Sequence, residues 1–305
     1  MKAKNANWLF LTIIIVHFMT VFVLMAAGNI DDIGMVANSL ISEGIIVAPA
    51  LLFLFPGCIV HKQSLNRMLG FHRIRFSTGL LIVLFTALLS PLITLVNAVT
   101  MLYTENTVAE MSPDILNVPF PVMLVIIGIF APLCEEFVFR GIIFHSYRRT
   151  QAGIWPVIVS ALLFGLMHLN LNQAAYAFII GIGLALLVDA TGSLWSSIVF
   201  HMVFNSTEVV MMYLADSIAP NVLANETTSH DEIMMAIAVY MVIALISTAL
   251  AGCVLVLIAK NENREKMLAV SVKGNIKGQA RLVSVPLVIS VIICAACMCL
   301  SELII

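Results

Sequence analysis

The stretch "ILNVPFPVMLVIIGIFAPLCEEFVFRG", residues 115–141, decides how this chain folds. Twenty uncharged residues, Ile115 to Cys134, run directly into Glu135 and Glu136, and Arg140 follows after three more apolar positions. An apolar window of about 17–25 residues is what a helix needs to cross a bilayer, so the spacing predicts a membrane span over Phe120 to Phe144. Near the centre of such a helix each ionised side chain costs roughly 2.5–3.5 kcal/mol, while a large apolar residue returns only about 0.3–0.6. Three charges therefore consume most of what the span gains by insertion, and they require partners.

The rest of the sequence has the same character. Of 305 residues, 61% are hydrophobic and 10% charged, and mean hydropathy is +1.07. Soluble domains are nearer 45–50% apolar and about 25% charged, so the composition implies an all-α, polytopic membrane helix bundle. Nine windows qualify as spans: about Leu9 to Ala27, Leu40 to Val60, Gly79 to Met101, Phe120 to Phe144, Ile154 to Leu169, Ala174 to Val188, Leu194 to Leu214, Ile233 to Ala259 and Leu282 to Ile304. The fifth and sixth are the shortest, and the expected bundle has about eight or nine helices. The first window exceeds the 7–15 residues of a typical signal-peptide core and reads as a retained span. One integral-membrane domain over residues 1–305 is expected, with a catalytic core at about 120–214.

Charge sets the orientation. Lys2 and Lys4, then Lys62, Arg67, Arg73 and Arg75, then Arg148 and Arg149, then Lys260, Arg264, Lys266, Lys273, Lys277 and Arg281 fall on one side if nine spans alternate. These are fourteen of the fifteen Lys and Arg; the fifteenth is Arg140. The opposite connections hold Asp31, Asp32, Glu105, Glu110, Asp114, Asp216, Glu226, Asp231 and Glu232 and no base. The positive-inside rule then puts the N-terminus in the cytoplasm. A net charge of −2 gives no ground for a nucleic-acid partner. All six cysteines lie in apolar segments, which argues against a disulfide framework or a zinc cluster. Nothing in the residues speaks to oligomeric state.

Within the spans, Glu136 and Arg140 are four apart with the carboxylate on the N-terminal side, the favourable order for an ion pair on one helix face. Glu135 points about 100° away and has no such partner. A purely structural role explains the pair but leaves Glu135 as an extra buried charge. Two more polar sets follow: "FGLMH" places Phe164 and His168 on one helix face, and "HMVFN" does the same for His201 and Asn205, with Glu208 a turn further on. A lone intramembrane histidine is as often hydrogen-bonded packing as chemistry. Two imidazoles, a carboxylate pair, a guanidinium and a carboxamide on three helices nevertheless form a set for general acid/base hydrolysis. Asp189, at the end of the sixth window, is expected to meet water or to cap the helix starting near Ser193.

The ordered trio Glu135-Glu136-x-x-x-Arg140, Phe164-x-x-x-His168 and His201-x-x-x-Asn205 resembles the CPBP family of CAAX proteases and bacteriocin-processing enzymes, also called the Abi family. The resemblance covers about Pro121 to Asn205, and each motif position holds the family's residue. It implies an intramembrane endopeptidase in which Glu135 and His168 activate a water, His201 and Asn205 stabilise an oxyanion, and Glu136 with Arg140 fixes the helix and tunes Glu135. Phe164 would line the substrate pocket. Family settings imply a bacterial cell membrane, peptide or protein substrates and the lipid bilayer as surroundings. Metal-free glutamate chemistry is favoured; zinc held by two histidines and a glutamate is the alternative. Two other functions compete: a bacteriocin-immunity protein that acts by binding, and a proton-coupled carrier, which the lack of an internal repeat disfavours. A hydrated cavity open to the cytoplasm is expected to serve these charges, although counting from span ends leaves His168 about 10 Å from the depth of Glu135 and His201.

Overall fold

A computed structural model describes residues 2–28, 33–60, 66, 69–219, 229–273 and 282–304. Among them there are helices and no strand. In chain order these are α1 (Ala3–Ala26), α2 (Met35–Val60), α3 (Phe76–Thr100), α4 (Thr107–Leu116), α5 (Phe120–Arg148), α6 (Trp155–Met167), α7 (Leu171–Thr191), α8 (Leu194–Ile218), α9 (His230–Asn261), α10 (Glu265–Lys273) and α11 (Val285–Ile304). Eight of them, all but α4, α6 and α10, are long and apolar enough to cross a membrane. The protein is an all-α integral membrane bundle.

Side-chain burial agrees with that setting. Phe10, Ile13, Ile82, Phe139, Phe164 and Phe200 meet in one core shared by α1, α3, α5, α6 and α8. Leu52 and Leu245, by contrast, are 73% and 76% exposed on the outside of the bundle. Large aliphatic side chains displayed this way are a liability in water and cost nothing against lipid tails. The described cysteines are free thiols.

The fifth window of the sequence folds as α6, whose 13 residues reach about 20 Å, short of the roughly 30 Å hydrocarbon core. It forms a hairpin with α7. Two glycines let the backbones approach: a Cβ on Gly165 would sit 2.6 Å from the Ala174 carbonyl oxygen, and one on Gly181 would sit 2.8 Å from the Ala161 Cα. Small residues at such crossings are the usual means by which membrane helices pack closely. His168 caps the C-terminus of α6, Leu169 turns the chain at φ 52°, and the Asn170 side chain accepts from the Gln173 N–H to start α7.

The two ends of the bundle differ. At one end Arg148 pairs with Asp189 (Nε to Oδ1, 2.8 Å), Arg264 reaches the Asp189 carbonyl, and Asn261 joins Ser77 and Thr78. The Asn7 side chain at the start of α1 bonds the Leu282 carbonyl at 2.8 Å and accepts from Tyr147, so the N-terminus shares this end. Asp189 is thus held by a basic partner, and the α8 start has its own cap in Ser193. At the other end Asn172 donates to Asn97 (2.9 Å) and Thr100 (3.0 Å), and Tyr213 donates to the carbonyls of Ile115 and Val118. Asp31, Asp32, Lys62, Arg67, Glu226, Lys277 and Arg281 lie outside the described residues.

Candidate active site

The local shape of α5 begins with Pro132. It brings no N–H back towards the carbonyl of Gly128, and π-helical turns over Leu124–Phe130 and Phe137–Phe144 flank the short α-helical stretch Ala131–Glu136. α8 satisfies the freed backbone. Ser206 Oγ donates to the Gly128 carbonyl at 3.3 Å and Asn205 Nδ2 to the Ile127 carbonyl at 3.2 Å. Gly128 makes this approach possible, because a Cβ there would lie 2.6 Å from Ser206 Oγ. α8 is thereby fixed in register against α5, which sets His201 opposite the two glutamates.

Arg140 Nη1 donates to Glu136 Oε1 at 2.8 Å, with both side chains fully buried. Arg140 Nη2 reaches the Gly181 carbonyl at 3.3 Å, and its guanidinium lies 4.2 Å from the centre of the Phe164 ring. The same Glu136 oxygen receives His201 Nδ1 at 3.0 Å. The opposite ring nitrogen, Nε2, faces Glu135 Oε2 at 3.8 Å, beyond hydrogen-bond length. His201 therefore stands between the two carboxylates, an arrangement that the helix periodicity of either motif cannot reveal.

Phe164 joins the two histidines. Its ring meets His168 edge-on at 5.3 Å and His201 at 5.7 Å between centroids. His168 Nδ1 contacts the Phe164 carbonyl at 3.0 Å, which leaves Nε2 available to the cavity. Glu135, Phe164, His168, His201, Asn205 and Glu208 all line one cavity of about 400 Å³. The depth mismatch between Glu135 and His168 disappears because α5 runs on to Arg148: Glu135 is 13 residues from that end, and His168 is 13 residues from the start of α6 at Trp155. Glu136 and Arg140 lie behind the lining and support it.

The cavity does not open towards the basic end. Its floor is buried Phe164, Ala177, Ile180 and His201; its outer part is lined by Asn97, Asn106, Val108, Met111 and Met212, at the end where α3 finishes and α4 begins. The expectation of an opening towards the basic loops is therefore reversed. The physical reason is the α6–α7 hairpin, which enters from the basic end and closes the site from that side.

A residue absent from the motif reading also stands here. Glu43 of α2 is buried, its Oε2 has no hydrogen-bond partner among the described residues, and it is within electrostatic reach of Glu135 and Cys134. An isolated carboxylate in an apolar window is its sequence signal. As for a metal, no three His, Cys, Asp or Glu side chains among the described residues are grouped to hold one ion. A zinc site with three protein ligands does not fit this arrangement.

Residues 117–207 match the family model described as type II CAAX prenyl endopeptidase Rce1-like. That interval contains all three motifs and every side chain placed around the cavity except Glu43, the α3–α4 lining and Glu208 onward. Over these residues the chain is similar to the CAAX-protease-like, or CPBP, proteins. A Bacillus subtilis protein described as putative membrane peptidase YdiL is 29% identical over 108 residues, covering 35% of this chain and 43% of that relative. The chain thus matches less than half the length of this relative. No solved structure matches it.

Proposed function

We propose that the protein is a membrane-embedded peptidase that hydrolyses a peptide bond with water activated by Glu135 and His168. The observation that carries this reading is the convergence of Glu135, His168, His201 and Asn205 on one cavity. Glu135 takes a proton from a water molecule as the water oxygen attacks the scissile carbonyl carbon. The carbonyl oxygen becomes an oxyanion, stabilised by donors from His201 and Asn205, a contribution of about 2.7–4 kcal/mol for a donor of this kind. When the C–N bond breaks, the proton held by Glu135 passes to the leaving amine, which restores the carboxylate.

Hydrogen-bond arithmetic supports these roles. Asn205 uses one N–H on Ile127 and has a second for the oxyanion. His201 Nδ1 is taken up by Glu136 Oε1, which leaves Nε2 as the ring nitrogen for the oxyanion. Glu136 and Arg140 hold that ring and do not touch substrate. No step is routed through a metal, because the donor set does not group around one.

The test is a comparison of peptides in cells expressing the wild type, Glu135→Gln or His168→Ala, with insertion verified by detergent-solubilised thermal unfolding. Cleavage products should vanish in both variants while the protein stays folded. Undiminished products or full cellular function in Glu135→Gln would defeat the peptidase reading and leave action by binding, or proton-coupled transport, in its place.

A further inference from the structure

Granted that the cavity hydrolyses peptide bonds, its direction limits what it can cleave. We infer that substrate enters from the face opposite the basic residues, the extracytoplasmic face, and is a basic peptide segment presented there rather than a cytosolic protein tail.

Three observations converge on that face. First, Lys2, Lys4, Arg73, Arg75, Arg148, Arg149, Lys260, Arg264 and Lys266 belong to the end of the bundle tied together by the Arg148–Asp189 pair and the Asn7 contacts. A concentration of Lys and Arg in short connections marks the cytoplasmic side. Second, the cavity runs from Glu135, some 13 residues or about 20 Å above Arg148, away from that end towards Asn106, Val108 and Met111 of the α3–α4 region. Partly exposed Met35, Val108, Met111 and Met212 form an apolar, adaptable mouth, and buried Phe164, Ala177 and Ile180 block passage to the other side. Third, the connecting sequences 27–34, 101–119 and 219–229 contain no Lys or Arg. Exposed Glu105, Glu110, Asp114, Asp231 and Glu232 give that face a negative field, which accelerates the arrival of a cation and repels an anion.

Two readouts test the entry face apart from the chemistry. In intact cells, a membrane-impermeant maleimide should label Glu105→Cys above the wild-type background and should label Lys266→Cys only after permeabilisation. The reverse pattern overturns the inference whatever the activity. In membrane vesicles, a quenched-fluorescent basic peptide added outside should be cleaved by right-side-out preparations at least tenfold faster than by inverted ones, with Glu135→Gln vesicles as blank. Its cleavage should slow as salt is raised, and an acidic peptide of equal length should be cleaved more slowly. Faster cleavage in inverted vesicles would overturn the entry face while leaving the peptidase intact. Equal rates for the two peptides would remove the charge preference. Cleavage in neither preparation, with the labelling pattern as expected, would instead sink the peptidase reading and uphold the direction of the cavity.

Discussion

His201 Nδ1 lies 3.0 Å from Glu136 Oε1, the same oxygen that Arg140 Nη1 reaches at 2.8 Å. One carboxylate oxygen thus fixes an imidazole on α8 and a guanidinium on its own helix. Glu136 Oε2 and Arg140 Nε have no hydrogen-bond partner among the described residues, so the shared oxygen carries the whole junction. The second ring nitrogen is left pointing at Glu135. Orientation of a reactive imidazole by a carboxylate on its far side is a general device for fixing tautomer and ring angle.

Breaking this junction should cost stability first. Arg140→Met or Glu136→Gln removes one partner of a fully buried ion pair and leaves the other charge uncompensated, a loss of about 3–5 kcal/mol. Thermal unfolding in detergent should show both variants well below the wild type. Replacement of both together should be milder than the sum of the single changes, because no lone charge remains.

Glu135 should behave in the opposite way. Its Oε2 has no hydrogen-bond partner among the described residues, so Glu135→Gln should leave the unfolding midpoint nearly unchanged. Turnover should nevertheless fall by about 10²–10⁴-fold, the usual contribution of a general base. A variant that loses stability and activity together would show that Glu135 is a structural group.

These two glutamates also show what the sequence can and cannot convey. Spacing separates them correctly: four residues put Glu136 beside Arg140, while one residue turns Glu135 to another face. The long apolar runs likewise specify helices, because only a helix satisfies its own backbone in lipid. Contacts between helices are another matter, since they depend on tilt and register that no periodicity encodes. Hence the bridge from His201 to both glutamates, the Arg148–Asp189 pair and the direction of the cavity emerge only in three dimensions. The short α6 reads as a span in hydropathy because its 13 residues carry no charge, and its window, Ile154 to Leu169, already ends at the left-handed turn that stops the helix.

Glu43 is buried with its Oε2 unpartnered among the described residues, and an unsatisfied buried group of this kind lowers stability by about 1–3 kcal/mol relative to an apolar side chain of similar shape. Glu43→Leu should therefore raise the unfolding midpoint. A lowered midpoint would mean that Glu43 is held by a partner such as ordered water, and would make it part of the polar network around Glu135.

Chelation discriminates between the two chemistries that the residue set suggests. Catalytic zinc takes about three protein ligands, and no such group exists among the described residues. Purified protein should keep its peptidase activity after prolonged treatment with a strong chelator, and elemental analysis should find no stoichiometric metal. Loss of activity on chelation, restored by adding zinc back, would require Glu135, His168 and His201 to move together around an ion.

The α6–α7 hairpin offers a test of how packing positions chemistry at a distance. A side chain on Gly181 would press on the Ala161 backbone at 2.8 Å, which is not a contact a rotamer change can relieve. Gly181→Val must therefore push α6 away from α7, and overpacking of this kind costs about 1–3 kcal/mol. Because the Gly181 carbonyl also accepts from Arg140 Nη2, and Arg140 lies over Phe164, the displacement reaches the ring that contacts both histidines. Turnover should fall by more than the stability loss explains when measured at a temperature where the variant is fully folded. Gly252→Val, on a helix face where a Cβ meets nothing within 4 Å, should leave both stability and turnover near wild type. Equal behaviour of the two variants would show that the hairpin spacing does not govern the site.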